Sequence, residues 1–258
     1  MWLSLRGRIG VAQVIPLERR GFGETMRRDA WWRQPLVAFV ILSAFVVYST
    51  WAAIQGEHYE FGPYLSPFYS PLLFGAGPHS WFGEWQQPGW WPGAVPFSAA
   101  VLILWAPGGF RFTCYYYRGA YYKAFWADPP ACAVGEPRTS YRGEQSFPLV
   151  FQNVHRYFLY LALLFLVILW FDVWVAMWFT DPATGAVTFG IGVGTLVLAA
   201  STALLSGYTF GCHSFRHLVG GRLDRFSRHP VQLKAYHAAC RFNCNHSQWA
   251  WASLFGVA

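Results

Sequence analysis

The sequence contains little charge for its length. Only 12% of its 258 residues are Asp, Glu, Lys or Arg, whereas soluble domains usually carry about a quarter. By contrast, 55% of the residues are apolar and 20% are aromatic. With so few charged residues to face water, the apolar surface has to be covered by lipid or by partner subunits. The composition therefore argues against an ordinary soluble domain and favours one membrane domain with short connections.

Several familiar signatures are also missing. Residues 1–34 contain no apolar core of signal-peptide length before Pro35, so we expect the first apolar run to be retained as a membrane span. No CxxC pair, no dinucleotide- or flavin-binding fingerprint and no basic-aromatic nucleic-acid motif occurs. The sequence therefore predicts neither a nucleic-acid partner nor flavin or nicotinamide chemistry of its own.

Lys and Arg are absent from two segments, 55–94 and 181–186. The basic residues lie before the first apolar run, around the connection between the second and third runs, and after the fourth run. The positive-inside rule then places the N-terminus in the cytoplasm and both basic-free segments outside. The net charge of +7 is thus explained by topology.

Five regions are long and apolar enough, or nearly so, to be membrane helices. The predicted fold is an all-α membrane protein, a bundle of about five transmembrane helices that follows a basic cytoplasmic segment, 1–34. The predicted spans are about 35–54, 95–126, 148–180, 187–219 and 246–258 onward. The last region has too few residues to cross the membrane, so a truncated fifth span is one interpretation of it. We expect a kink at Pro107-Gly108-Gly109 and a compact outer cap from the Pro- and Trp-rich loop 55–94.

On this topology every Cys and six of the eight His lie at or inside the cytoplasmic boundary. Cytoplasmic thiols are normally reduced, so structural disulfides are not expected. Counting helix rise from the outer ends brings five residues to roughly one depth: Cys114, His155, Cys212, His213 and His246. Thiolate and imidazole suit zinc or an iron–sulfur centre, and two of each form the ligand set of a Rieske-type [2Fe–2S] cluster. The alternative for each histidine is a hydrogen bond between helices.

A polar-aromatic group adjoins that layer. His213 and His217 are four residues apart and share a helix face, with Arg216 beside them. Tyrosines around Arg118 form either an interfacial aromatic belt or the donors of a quinone pocket. The predicted quinone-binding residues are Tyr117, Arg118, Ser214, Arg216 and His217.

Asp172 is the one carboxylate deep in the third predicted span, nearer its outer end. No basic residue is predicted at that depth. We therefore expect this carboxyl group to pair with a hydroxyl group or to be protonated.

Six segments together carry a resemblance to a known family: YSTW, PYLSPFYSP, WAPGGFRFTCYYYRGAYYKAF, DPPACAVGEPR, YRGEQSFPLVFQNVHRYFLYLAL and YTFGCHSFRHLVGG. Over about Trp31 to His246 the chain resembles the membrane anchor of a succinate dehydrogenase (respiratory complex II), in the single-anchor, haem-free class called type F. The resemblance implies an anchor in the bacterial cytoplasmic membrane. It also implies a flavoprotein subunit and an iron–sulfur subunit docked on the cytoplasmic face, and no succinate chemistry in this chain alone.

The same resemblance implies a Rieske-type [2Fe–2S] cluster held by two Cys and two His, close to a membrane quinone. The preferred ligands are Cys114, Cys212, His155 and His246, because this set takes one residue from each of four helices. The reserve candidates are Cys132, His213 and His217.

Two alternatives remain open at this level. One is a haem b anchor of the same complex, with two of the cytoplasmic-side histidines as axial ligands. The other is a transporter or structural membrane subunit without a redox centre. Transporters place polar residues at the midplane of the bilayer, whereas here they concentrate at the inner boundary, which disfavours that alternative.

Overall fold

The structure is a computed structural model that describes residues 30, 32–117, 151–221 and 228–258. Predictions for residues 1–29, for Arg118 and for Cys132 lie outside the described residues. The described helices are α1 (Arg33–Gln55), α2 (Ala99–Ile103), α3 (Trp105–Thr113), α4 (Phe151–Val175), α5 (Val193–Phe210), α6 (His213–Gly220), α7 (Pro230–Cys244) and α8 (His246–Val257).

Three of these helices, α1, α4 and α5, are long and apolar enough to cross a membrane. Large aliphatic side chains point outward from all three: Val47 is 70% exposed, Val167 68% and Leu196 60%. A helix that stays apolar on its outer face needs an apolar surrounding. The all-α membrane fold predicted from composition is confirmed.

The second predicted span is interrupted near its middle. Pro107 has no N–H, and its ring crowds the carbonyl group of Ile103, four residues earlier. α2 ends at Ile103, Leu104 is a turn residue, and α3 begins at Trp105. The break therefore lies about one turn before the predicted kink at Pro107-Gly108-Gly109, at the carbonyl group that Pro107 leaves without its helical hydrogen bond.

The third and fourth predicted spans, 148–180 and 187–219, are longer than the helices that form. Strands β3 (Trp178–Thr180) and β4 (Val187–Phe189) pair as an antiparallel hairpin between α4 and α5. Asp181 begins its turn, accepting hydrogen bonds from the Thr184 hydroxyl at 2.7 Å and the Ala183 N–H at 2.9 Å. These donors lower the pKa of the Asp181 carboxyl group. Local turn chemistry thus ends α4 before the apolar run does.

The loop 55–94, for which the sequence predicts an outer location, folds as a cap with its own small apolar core. It contains strands β1 (Glu60–Phe61) and β2 (Tyr64–Leu65) and a 3₁₀ turn, Pro67–Tyr69. The Tyr69 hydroxyl accepts from the N–H of Gly56 at 3.0 Å and lies 3.1 Å from the carbonyl oxygen of Ala52, so it satisfies the end of α1.

Asp172 connects this cap to the membrane bundle. Its carboxyl group accepts a hydrogen bond from the Ser70 hydroxyl of the cap. The predicted pairing of Asp172 with a hydroxyl group is confirmed. The two partners, Ser70 and Asp172, are 102 residues apart in the sequence.

Glycine allows two close helix contacts around the bundle interior. A Cβ atom at Gly109 in α3 would overlap the ring of Phe158 in α4. A Cβ atom at Gly207 in α5 would lie 2.6 Å from the indole ring of Trp249 in α8. These two contacts hold α3 against α4 and α5 against α8, the helices whose side chains line the interior.

Gly108 and Gly109 offer a matched test of this packing. Gly109→Ala should destabilise the complex by about 1–3 kcal/mol because the Phe158 ring has to move. Gly108→Ala meets no atom within 4 Å and should be neutral or slightly stabilising, since Ala favours helix. Thermal unfolding of the purified complex measures both. Equal melting temperatures for the two variants would contradict the close α3–α4 contact.

Candidate metal centre

Four thiol and imidazole side chains meet inside the bundle, each from a different helix or helix end. His155 of α4 places its Nε2 atom 2.9 Å from the Sγ atom of Cys212. Cys114, at the end of α3, has its Sγ atom 3.5 Å from Nε2 of His246, the first residue of α8. Cys114 and Cys212 are each 2% exposed, and His155 is 5% exposed. The structure therefore brings together the four preferred ligands.

Both cysteines lie where a helix is broken, in nearly the same extended conformation. Cys114 ends α3 with φ −61° and ψ 133°. Cys212 precedes α6 with φ −65° and ψ 139°. An extended residue turns its side chain out of the helical rows and leaves neighbouring backbone groups unpaired. The breaks thus aim both sulfur atoms inward.

The break at Cys212 has a long-range cause. The side-chain amide of Asn243 in α7 donates to the carbonyl oxygen of Gly211 at 2.7 Å, which satisfies a carbonyl at the end of α5. The chain then restarts as α6, and the N–H groups of Ser214 and Phe215 face the sulfur of Cys212. Helix N-termini stabilise thiolates. A single helix through Cys212 and His213, as the sequence suggested, does not form.

The hydrogen bonds around His155 fix its tautomer. The Thr113 hydroxyl donates its proton to the carbonyl oxygen of Gly109 at 2.7 Å. Its oxygen therefore accepts from Nδ1–H of His155, which lies 2.9 Å away. The proton is thus on Nδ1, and the lone pair of Nε2 faces Cys212. A fixed Nδ1–H partner is the usual support of a metal-ligating histidine.

Aromatic rings hold both imidazoles in place. The Phe110 ring stacks on His155 at 4.7 Å and 7°, and the Tyr208 ring stacks on His246 at 5.0 Å and 13°. In the described part of the chain, Nδ1 of His246 and the hydroxyl of Tyr208 are buried without a hydrogen-bond partner. Each unpaired group costs about 1–3 kcal/mol, so this region retains capacity for a further ligand.

The four donors border a common cavity of about 500 Å³. Within the described ranges, no three His, Cys, Asp or Glu side chains are arranged to hold a single metal ion. The donors form two Cys–His pairs instead. Two thiols and two imidazoles nevertheless match the ligand types of a Rieske-type cluster, and the cavity and the free Nδ1 atom are compatible with such a group.

Of the reserve candidates, His213 lines that cavity and His217 lies beside it on α6. Their Nε2 atoms are 3.0 Å apart, and Nη2 of Arg216 lies 3.1 Å from Nδ1 of His213. Burial lowers the pKa of His213, and the neighbouring His217 and Arg216 lower it further. His213 is therefore a neutral imidazole at pH 7 and is engaged by its own helix.

A second, mainly apolar groove of about 390 Å³ runs between α1 and α3 on the other side of Tyr117. Its polar lining includes Arg111 and Tyr117, which are hydrogen-bonded to each other. Nη2 of Arg111 also lies 3.0 Å from the hydroxyl oxygen of Ser253 in α8, and the Tyr117 hydroxyl donates to the Ala250 carbonyl at 2.6 Å. Arg111 is half-buried and forms no ion pair with a described carboxylate.

The predicted quinone-binding residues are divided between these places. Tyr117 lines the apolar groove, whereas Ser214 lines the Cys/His cavity. Arg216 and His217 lie on α6 at its edge. The structure thus does not gather the four described members into one pocket.

The sequence did not single out Arg111, Thr113, Tyr208 or Asn243 as site residues. For Arg111 a signal existed, because charged side chains within an apolar span are costly and usually functional. Thr113, Tyr208 and Asn243 act through contacts with distant segments, for which the sequence offers no local sign.

An apolar helical bundle with three described helices long and apolar enough to cross a membrane defines a membrane-spanning protein. A family model described as actinobacterial succinate dehydrogenase subunit SdhC matches residues 33–258. The chain belongs to that family and is a membrane anchor subunit of succinate dehydrogenase, without succinate chemistry of its own.

One solved structure supports the same assignment. A chain of the Mycobacterium smegmatis Sdh1 complex in the apo form is 39% identical, with a TM-score of 0.77. The match covers 96% of this chain and 92% of that chain. No protein with curated annotation matches significantly.

Proposed function

We propose that this subunit passes electrons derived from succinate to a membrane quinone, and that Cys114, Cys212, His155 and His246 hold a Rieske-type [2Fe–2S] cluster for this purpose. The observation that carries the proposal is the convergence of two thiols and two imidazoles from four helices on one buried cavity. The cluster, when bound, supplies one-electron transfer at a potential raised by its imidazole ligands.

The protein residues around the cavity have distinct roles in this proposal. Thr113 holds the proton of His155 on Nδ1, which keeps Nε2 free for coordination. Phe110 and Tyr208 fix the planes of the two imidazoles and exclude water. The N–H groups of Ser214 and Phe215 at the start of α6 would donate hydrogen bonds to the Cys212 sulfur when it binds the cluster.

For the quinone we propose the apolar groove with Arg111 and Tyr117 at its polar end. A quinone needs hydrogen-bond donors for its carbonyl oxygens and an apolar channel for its tail. The Arg111 guanidinium carries five N–H donors, and its contacts with Tyr117, Ser253 and Ala250 leave some of them unused. Reduction to the quinol would take two electrons from the cluster and two protons from water, and the Arg111 guanidinium would stabilise negative charge on one quinone oxygen before its proton arrives.

The groove lies close to the proposed cluster cavity. The ring of Tyr117 contacts that of Tyr208 at 5.7 Å, and Tyr208 contacts His246 at 5.0 Å. Two ring contacts therefore separate the groove from an imidazole ligand. Electron transfer over so short a packed path needs no movement of either site.

The partners proposed for the cytoplasmic face are the flavoprotein and iron–sulfur subunits of the complex. The related Sdh1 chain is part of a complex, and helix α7 bears two exposed basic residues suited to docking, Lys234 and Arg241. We place the subunit as a multi-pass protein of the bacterial cytoplasmic membrane, surrounded by lipid. The complex is free to form a higher oligomer.

Spectroscopy of the purified complex tests the cofactor assignment. After reduction with succinate we expect an electron-resonance signal with g values typical of histidine-ligated [2Fe–2S] clusters. We expect two iron atoms beyond those of the iron–sulfur subunit and no haem absorption bands. If the complex shows reduced haem b bands and no resonance signal, the subunit binds haem b instead of the cluster. If the complex shows neither signal, the subunit has no redox centre.

A further inference from the structure

Arg111 brings a positive charge to the groove between α1 and α3, and none of the described residues that line this groove carries a negative charge to match it. The guanidinium is half-buried, and the other polar side chains of the lining, Ser49, Thr50 and Tyr117, are neutral at pH 7. Placing a charge in an apolar environment without a partner is costly. The groove therefore favours an anionic ligand over a neutral one.

The unused donors of the guanidinium indicate the shape of that ligand. Nη1 donates to the Tyr117 hydroxyl and lies 3.4 Å from the Ala250 carbonyl oxygen, and Nη2 lies 3.0 Å from the Ser253 hydroxyl oxygen. Of the five N–H groups of Arg111, Nε–H and one N–H of Nη2 therefore have no partner among the described groups. Nε and Nη2 lie on one edge of the guanidinium, and such an edge binds two neighbouring oxygen atoms that share a negative charge.

We propose that this groove binds the anions of 2-hydroxy-1,4-quinones in preference to neutral quinones of the same size, with two oxygen atoms of the anion on the Nε and Nη2 edge of Arg111. This inference rests on the proposed function, because it assigns a ligand class to the proposed quinone groove. In such an anion the two oxygens are attached to neighbouring ring carbons and share the negative charge, as the oxygens of a carboxylate do. In an ordinary 1,4-quinone the oxygens lie on opposite sides of the ring, so only one of them reaches the guanidinium.

The rest of the groove fits the uncharged part of such a ligand. Its walls are mainly apolar along both helices, with side chains such as Leu42, Phe45 and Leu104. Its volume of about 390 Å³ lies in the range of small-molecule pockets. The negative charge of the ligand is confined to the end of the ring that faces Arg111. The apolar walls therefore contact only the second ring and any alkyl tail.

Inhibition of quinone reduction by the purified complex tests this inference. The probe is 2-hydroxy-1,4-naphthoquinone, which is ionised at pH 7, and its methyl ether is a neutral compound of nearly the same shape. We expect the inhibition constant of the hydroxy compound to be roughly tenfold lower than that of the ether, because hydrogen bonds to charged groups are the stronger ones. Calorimetric titration of the complex with each compound gives the same ratio without turnover.

Arg111→Gln in the whole complex should make the two compounds bind equally, because it removes both the charge and the paired donors. Arg111→Lys serves if the glutamine variant does not assemble, since lysine keeps the charge but loses the paired donors, and the preference should fall to about twofold. Arg33→Gln is the matched control, because Arg33 lies at the exposed start of α1 and is not among the groove residues. It should keep the preference of the parent.

The outcomes separate this inference from the proposed function. If both compounds compete with the quinone but bind the parent equally, or if the full preference survives in Arg111→Gln or Arg111→Lys, the inference is wrong and the quinone assignment stands. If neither compound competes with the quinone, the groove is not the quinone site, and the inference is lost together with that part of the proposed function.

Discussion

Replacing His155 and His246 by alanine should abolish quinone reduction by the complex while succinate oxidation with a water-soluble artificial acceptor continues. Both imidazoles lie against the sulfur atoms of the cavity, and their removal takes away half of the proposed ligands. Loss of a partner outside the ligand sphere alone costs about 10- to 100-fold. We therefore expect a loss of more than about 100-fold for the double variant.

The two acceptor assays are run on the same purified complex, so that the soluble subunits serve as an internal reference. His58→Asn is the control variant for histidine removal. His58 lies in the outer cap with its side chain 92% exposed and φ 58°, a conformation that asparagine tolerates. Quinone reduction that survived in the double variant would show that these two histidines are not ligands.

Arg111→Gln should reduce kcat/KM for the quinone by roughly 10- to 100-fold, because a hydrogen bond to a charged group contributes about 1.5–3 kcal/mol. The guanidinium lines the apolar groove and is its one described cation. Glutamine keeps a polar side chain but loses the charge and the forked donors. The rate with the artificial acceptor should be unchanged, since that acceptor takes electrons before the membrane subunit.

Ser253→Ala separates quinone binding from helix packing in that experiment. Arg111 also connects α3 to α8 through the Ser253 hydroxyl at 3.0 Å. The alanine variant loses this connection and keeps the cation, so its KM for quinone should stay near the parent value. If Ser253→Ala raised KM as much as Arg111→Gln, Arg111 would act through packing. An unchanged KM in Arg111→Gln would remove it from the quinone site.

The sequence predicted the location of the candidate site better than its internal arrangement. Helix rise counted from the outer ends placed Cys114, His155, Cys212, His213 and His246 at one depth. All of them except His213 meet in Cys–His pairs. This counting works because membrane thickness fixes where a helix enters and leaves. The predicted quinone residues do not share one cavity, since Tyr117 lines a different cavity from Ser214.

The internal arrangement of the site was harder to predict than its location because two helices are broken beside it. The sequence predicted a span of 95–126 with a kink at Pro107-Gly108-Gly109 and a continuous span of 187–219, but α3 ends at Thr113 and α5 at Phe210. An apolar run shows no sign of such an ending when the compensating hydrogen bond comes from far away. Asn243 supplies that bond to Gly211 from 32 residues further along the chain.

The sequence by itself determined that this is an all-α membrane protein, and it predicted that its thiols and six of its eight imidazoles lie near one boundary. Lipid excludes charge strongly enough that composition and the spacing of apolar runs decide the class. Only the tertiary structure decided which imidazole faces which thiol, which nitrogen of His155 carries the proton, and where Arg111 lies. Those outcomes depend on contacts between segments as distant as Cys114 and His246, and no local pattern of residues encodes such contacts.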